Sequence, residues 1–268
     1  MRDPFFSPDG LSIGYSNIRG PLKRVAIRGG ASVELTGNTD QASGAFWARD
    51  GYIYFSPESG SGIARIPEQG GDPEIPEIVV PLRPDLGDVD LRSPHVLPGG
   101  DSLLFVVRDG SGRDSIAVET LPTGVRHVLI EDGVGPQYAP TGHLVFARAN
   151  SILAAPFDID TLVVEDNPTI VIDGLQNDKF AVSEQGTLIY VDAGNNATPY
   201  SQLVSVDRQG ASTPLVETPR RFWDPRWSPE GDRLAVAILS DESTPLLPFG
   251  HKTPKGSKGF AGTYFAAP

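Results

Sequence analysis

The chain has 268 residues, a formal net charge of −12 and no cysteine. That length supplies one large core or two small ones, and the acidity argues against nucleic acid or anionic lipid as partners. The lack of cysteine excludes disulfides, thiol nucleophiles and cysteine-bound metals while deciding nothing about compartment, no apolar run is long enough to span a bilayer, and residues 1–20 lack the apolar stretch of a signal peptide.

Thirty glycines and 25 prolines punctuate the chain, and no stretch keeps a 3.6-residue apolar period. Many short strands and few or no helices are therefore expected. The first pair reads FFSPDGLSIGY (5–15): apolar residues, a four-residue turn, then an alternating strand. A third strand, KRVAIRG (23–29), and a short fourth, SVELT (32–36), follow. The pattern then recurs. FWARDGYIYFS (46–56) leads to GIARIPE (62–68) and PEIVV (76–80). HVLPGGDSLLFVV (95–107) leads to SIAVETL (115–121) and VRHVLI (125–130). QYAPTGHLVFAR (137–148) leads to SILAAPFD (151–158) and PTIVI (168–172). FAVSEQGTLIYVD (180–192) leads to QLVSVDR (202–208) and STPLV (212–216). RWSPEGDRLAVAI (226–238) opens a sixth repeat that has no recognisable third or fourth strand.

The six turns keep one residue in common, the glycine: Gly10, Gly51, Gly100, Gly142, Gly186 and Gly231, spaced by 41, 49, 42, 44 and 45 residues. Glycine enters the left-handed conformation that closes a short hairpin, and proline at the turn's start presets φ. The acids in SPDG and SPEG are turn residues by this reading, not an acid–base pair. A period of 41–49 residues with four strands matches a propeller blade. The expected fold is all-β: a propeller of four-stranded antiparallel blades near 2–40, 41–88, 89–132, 133–175 and 176–219, a partial sixth at 220–239, and an irregular, disordered tail at 240–268. Because the last blade stops short, the ring is read as six-bladed and incomplete, and the chain as part of a larger polypeptide.

The phrases SPDGLSIGY, DGYIYF and WSPEGDRLAV resemble TolB-type, WD40-like propeller repeats. Trp223-Asp224 precedes a first strand, whereas a WD dipeptide follows a third, so that match is coincidental. In order and phrasing residues 2–238 also resemble the propeller region C-terminal to bacterial serine/threonine kinases of the eukaryotic-like type. That resemblance implies a sensing or interaction module, extracytoplasmic if attached to a membrane-spanning kinase and cytoplasmic otherwise. Residues 240–268 depart from the pattern. The chain has no glycine-rich nucleotide loop, HRD loop or DFG site, and Val25-Ala26-Ile27-Arg28 reads as a strand.

No GxSxG elbow is present to expose a serine nucleophile, so the alternative is the propeller of a hydrolase, or one that gates substrate for a prolyl-oligopeptidase-type serine peptidase. No two of His95, His127, His143 and His251 have metal-ligand spacing. Asp88 and Asp90, like Asp158 and Asp160, lack the glycine and terminal glutamate of a calcium loop and read as solvated loop acids. Asn196-Ala197-Thr198 is a glycosylation sequon of a kind common by chance.

Innermost strands line a propeller's channel, so residues leading into them are the candidate binding groups: Arg92, His95, Gln137, Tyr138, Lys179, Arg221, Trp223 and Asp224. The expectation is a non-catalytic module without metal or cofactor that binds a protein, a peptide or a small envelope ligand.

Overall fold

The computed structural model describes residues 2–16, 20–38, 44–58, 60–70, 76–174, 179–184, 186–192, 200–207, 210–238 and 265–266. The first sheet holds β1 (Arg2–Phe6), β2 (Ser12–Ser16), β3 (Pro21–Ala26) and β4 (Val33–Asn38). The second holds β5 (Ala45–Trp47), β6 (Tyr52–Phe55), β7 (Ile63–Pro67) and β8 (Glu77–Val80). After a single 3-10 turn at Pro84–Leu86 the third sheet holds β9 (Asp88–Val96), β10 (Ser102–Asp109), β11 (Asp114–Thr120) and β12 (Val125–Glu131). The fourth holds β13 (Val134–Ala139), β14 (His143–Arg148), β15 (Ser151–Asp158), β16 (Val163–Val164) and β17 (Thr169–Ile172). The fifth holds β18 (Phe180–Val182), β19 (Leu188–Asp192), β20 (Gln202–Val206) and β21 (Ser212–Pro214). The sixth holds β22 (Phe222–Trp227) and β23 (Leu234–Ile238), with the two-residue β24 (Phe265–Ala266) parallel to β23.

Within the first five sheets the strands pair antiparallel, in meander order except for β17 in the fourth. The first strands meet side by side around a ring, β1–β5–β9–β13–β18–β22, and β22 returns to β1. This is a β-propeller: five four-stranded blades and a partial sixth. The fourth blade differs from expectation by an added hairpin, in which β16 pairs with the end of β15 and β17 pairs with its start. Apart from β24 the 240–268 stretch lies outside the described residues, as does the sequon at Asn196.

The second strand of each blade is buried on both faces, because a blade on either side covers it. In β10 Leu103, Leu104, Phe105 and Val106 are all fully buried in succession, and all five residues of β23 are buried. Such strands read as continuous apolar runs rather than alternating ones. The fourth strands face solvent. Every neighbouring pair of blades encloses its own core. Leu104 and Ile116 meet Phe146 between blades three and four, and Ile189 and Leu203 meet Phe222 and Val236 between blades five and six. The core where blade six meets blade one is smaller: Phe6, Ile13 and Ala235, with Val25 and Ile27 alongside.

The repeated hairpin has a common construction. Ser7 Oγ donates to Asp9 Oδ1 at 2.6 Å, the Gly10 N–H donates to the Ser7 carbonyl at 2.9 Å, and the Ser12 N–H donates to Ser7 Oγ. Ser228 and Ser183 occupy the same place in their turns. All six repeat glycines have φ between 66° and 85°. Gly14 has a different reason to be glycine: it lies across from Phe5, and a Cβ there would fall inside the Phe5 ring.

Asp88 is not the solvated loop acid that its sequence context suggests. It starts β9, is buried, and sits 2.6 Å from Arg126, which also reaches Glu119 at 2.7 Å. Arg83 completes the network through Glu119 and the Gly124 carbonyl. Asp158, in contrast, accepts from the Asp160 and Thr161 N–H groups in an exposed turn.

Candidate functional site: the central channel

The inner strands enclose a channel of about 1350 Å³ whose wall draws on all six blades. A sequence device sets which side chains face it. Seven residues before the turn glycine stand Asp3, Gly44, Ser93, Gly135, Lys179 and Asp224, and in four blades the next residue is proline: Pro4, Pro94, Pro136 and Pro225. In each of those four the register slips there, between Arg2 and Phe5, Arg92 and His95, Val134 and Gln137, and Trp223 and Arg226. Proline lacks the N–H that the ladder needs and bars the helical region to the residue before it, so the strand bulges. The pre-proline residues take positive φ: 47° at Asp3, 54° at Ser93, 62° at Gly135 and 47° at Asp224. Left-handed backbone at a non-glycine residue is a strain that clusters at functional sites. In those four blades the bulge re-aims the residue five before the glycine, Phe5, His95, Gln137 or Arg226, and the same position lines the channel as Phe46 and Ala181 in the other two.

Of the candidates read from sequence, Arg92, His95, Gln137, Tyr138, Lys179, Trp223 and Asp224 line the channel, whereas Arg221, just before β22, does not. Two of them tie blade to blade. His95 Nε2 accepts from the Tyr138 N–H at 3.3 Å. Gln137 donates to the Phe180 carbonyl at 3.1 Å and accepts from the Val182 N–H at 3.0 Å. His95 also packs against Phe46, ring centres 4.6 Å apart and planes tilted by 53°. Burial, and secondarily the Arg226 charge, hold its imidazole down at about 4, so it is neutral at physiological pH.

One mouth of the channel gathers charge in two clusters. In the first, Lys179 Nζ lies 3.0 Å from Asp224 and 5.2 Å from the Trp223 ring centre. Asp224 is buried and accepts from the Asp3 N–H at 3.3 Å. Burial, then the Asp224 charge, push the Asp3 carboxyl up to about 7, against the opposing pull of Arg226 and Lys179. In the second cluster Asp114 receives both Arg92 and a two-pronged Arg108, the latter at 2.9 Å on each oxygen.

The hairpin end of the channel is different. Arg49 on blade two meets Glu184 on blade five at 2.9 Å. Blades two and five face each other across a six-membered ring, so this pair crosses the opening.

Sequence reading missed Asp3, Ser93, Arg108, Asp114, Arg226, Phe46 and the Arg49–Glu184 pair. The X-Pro step at a fixed distance from the turn glycine carries the signal for Asp3, Ser93 and Arg226. Nothing local marks Asp114 or the crossing pair. Among the described residues no group of three or more His, Asp or Glu side chains could hold a metal ion.

No protein-family model matches the chain, and no curated protein matches it in sequence. Solved structures do match in fold. A calcium-binding protein, regucalcin, from Agrobacterium tumefaciens shares 17% identity at a TM-score of 0.66, with 87% of this chain and 80% of that one covered. A TolB-type protein from the same organism shares 19% at 0.66, covering 86% and 87%. A gluconolactonase from Xanthomonas campestris shares 14% at 0.69, covering 88% and 81%. At these identities the likeness is one of fold, and it bears out the TolB-like part of the resemblance. It corrects the expectation that the chain is not an enzyme. The gluconolactonase is an enzyme on this architecture, so the lack of a contiguous motif argues nothing. A propeller collects reacting groups from strands forty residues apart, and no spacing rule finds them.

No helix among the described residues is long and apolar enough to cross a membrane.

Proposed function

We propose that this propeller takes a small polar ligand, or the end of a peptide, into its central channel. It would act as the binding or sensing part of a larger polypeptide. The observation that carries this reading is the channel itself: its volume suits a ligand of drug size or above, and its wall combines aromatic rings with a few placed charges. The phrase-level resemblance to kinase-attached propellers supports a signalling context, in which ligand would be reported to a serine/threonine kinase domain on the same polypeptide. Thermal-shift measurements against a library of polar small molecules and short peptides test the binding. Ligands that raise Tm in the natural protein should do so less in Trp223→Ala. Stabilisation indifferent to that change, or none from any compound, overturns the reading.

A second reading, acid–base chemistry at the mouth, is favoured by the Asp3–Asp224 contact. A carboxyl that changes charge near neutral pH beside a second carboxyl can pass a proton to and from a substrate. Turnover of an ester and lactone panel that disappears in Asp3→Asn would support it, and equal turnover would sink it.

A further inference from the structure

The channel wall holds four cations near the charged mouth, and three are engaged by carboxylates: Lys179 by Asp224, and Arg92 and Arg108 by Asp114. Arg226 is the exception. Its one hydrogen bond runs from Nη1 to the Pro225 carbonyl at 2.8 Å, and it has no carboxylate partner within ion-pair distance among the described residues. The bulge at Asp224-Pro225 delivers it to the channel at the position that His95 and Gln137 occupy in their blades. There, however, His95 and Gln137 bond the next blade's backbone, and Arg226 does not. It lines the channel two residues beyond Asp224 on β22, where its charge acts on both Asp3 and His95.

A half-buried guanidinium with Nε and Nη2 uncommitted presents a planar fork, and the group that matches it with two parallel hydrogen bonds is a carboxylate or a phosphate. Charge decides between them. A dianion would need a second free cation, and the three neighbouring ones are already balanced by Asp224, Asp114 and, through its charge on Arg108, Asp90. The rest of the wall, with Phe46, Tyr138 and Trp223, suits an apolar body rather than a polyanion.

We propose that Arg226 anchors the carboxylate of a monoanionic ligand with an apolar or aromatic body inside the channel, either a small organic acid or a peptide C-terminus. This rests on the reading of the channel as a binding site, and the two can fail separately.

Calorimetric titration with 3-phenylpropionate, its neutral amide, inorganic phosphate, and Gly-Gly-Phe with a free or an amidated C-terminus tests it. At least one free acid should bind at least tenfold more tightly than its own amide. Arg226→Gln should lower that acid to the level of the amide while leaving amide binding unchanged. Arg226→Lys, which keeps the charge and loses the fork, should fall between. Preference for phenylpropionate over the tripeptide identifies a small organic acid, and the reverse a peptide C-terminus. Acid and amide binding alike overturns the carboxylate proposal and leaves the channel reading standing. Phosphate binding as tightly as the acids at Arg226 overturns the monoanion assignment. No binding by any probe overturns the proposal and counts against the channel reading as well.

Discussion

At the scale of single residues, two kinds of backbone exception recur from blade to blade, for two purposes. The hairpin glycines adopt positive φ where glycine does so without cost. Asp3, Ser93 and Asp224 adopt it with a side chain attached, and they sit at the channel. Gly142 isolates the first kind, since a Cβ there would meet nothing within 4 Å. Gly142→Val should therefore destabilise by backbone strain alone, about 1–2 kcal/mol, seen as a Tm lower by several degrees. Asp3 offers a test with a sign. It holds its proton to about 7 in the fold against an ordinary 3.8, so the stability tied to its protonated form is complete below about 4 and lost as pH rises through 7. His95 runs the other way: held at about 4 against 6.5, its contribution is present above 6.5 and lost as pH falls toward 4. Asp3→Asn should gain stability relative to the natural protein between pH 5 and 8, measured as the difference in Tm. A difference flat across that range would show that Asp3 is not titrating there.

At the scale of strands and turns, much was legible in the sequence because hairpins are local. The run SILAAPFD is a strand from end to end, and all six hairpins stand where the repeat glycine places them. What local reading missed depends on packing. Asp88 looked like a loop acid because nothing nearby in sequence announces Arg126, thirty-eight residues on, as its partner. The inner strands were read as short apolar leads into a turn, so their bulges, and with them Asp3 and Arg226, went unseen. His95 and Gln137 were read as binding groups because they lead into inner strands, yet the same position equally serves to bond the next blade. The Arg83–Asp88–Glu119–Arg126 network lies almost wholly out of water. Arg126→Ala would leave two buried carboxylates short of a partner and should cost about 3–5 kcal/mol, measured by denaturant unfolding.

At the scale of the molecule, the ring is unevenly sealed. Five blade interfaces carry extensive apolar cores, and the sixth, where the chain's two ends of the ring meet, rests on Phe6, Ile13 and Ala235. Two polar links reinforce it: Arg233 donates to the Gly10 carbonyl at 2.9 Å, and the Asp3 N–H reaches Asp224. Local opening is easiest where the fewest buried apolar contacts must be broken. Amide hydrogen exchange should therefore be faster in β1, β22 and β23 than in β10 and β14, and equal protection would show the seam to be as strong as the rest. Asp3 and Asp224 belong both to this seam and to the channel mouth, so the charge state that a ligand meets there is also one that the seam feels.

The Arg49–Glu184 contact has a consequence for measuring such a ring. Both side chains are exposed, at 72% and 52%, so the pair contributes at most about 1 kcal/mol and less at high salt. Its worth lies elsewhere. Neither residue is near the seam, and the two are brought together only when the circle has its full curvature. The coupling energy between them, taken from a double-mutant cycle, is thus a gauge of roundness: it vanishes when the circle springs open anywhere along its circumference, and it does so without a probe having been added.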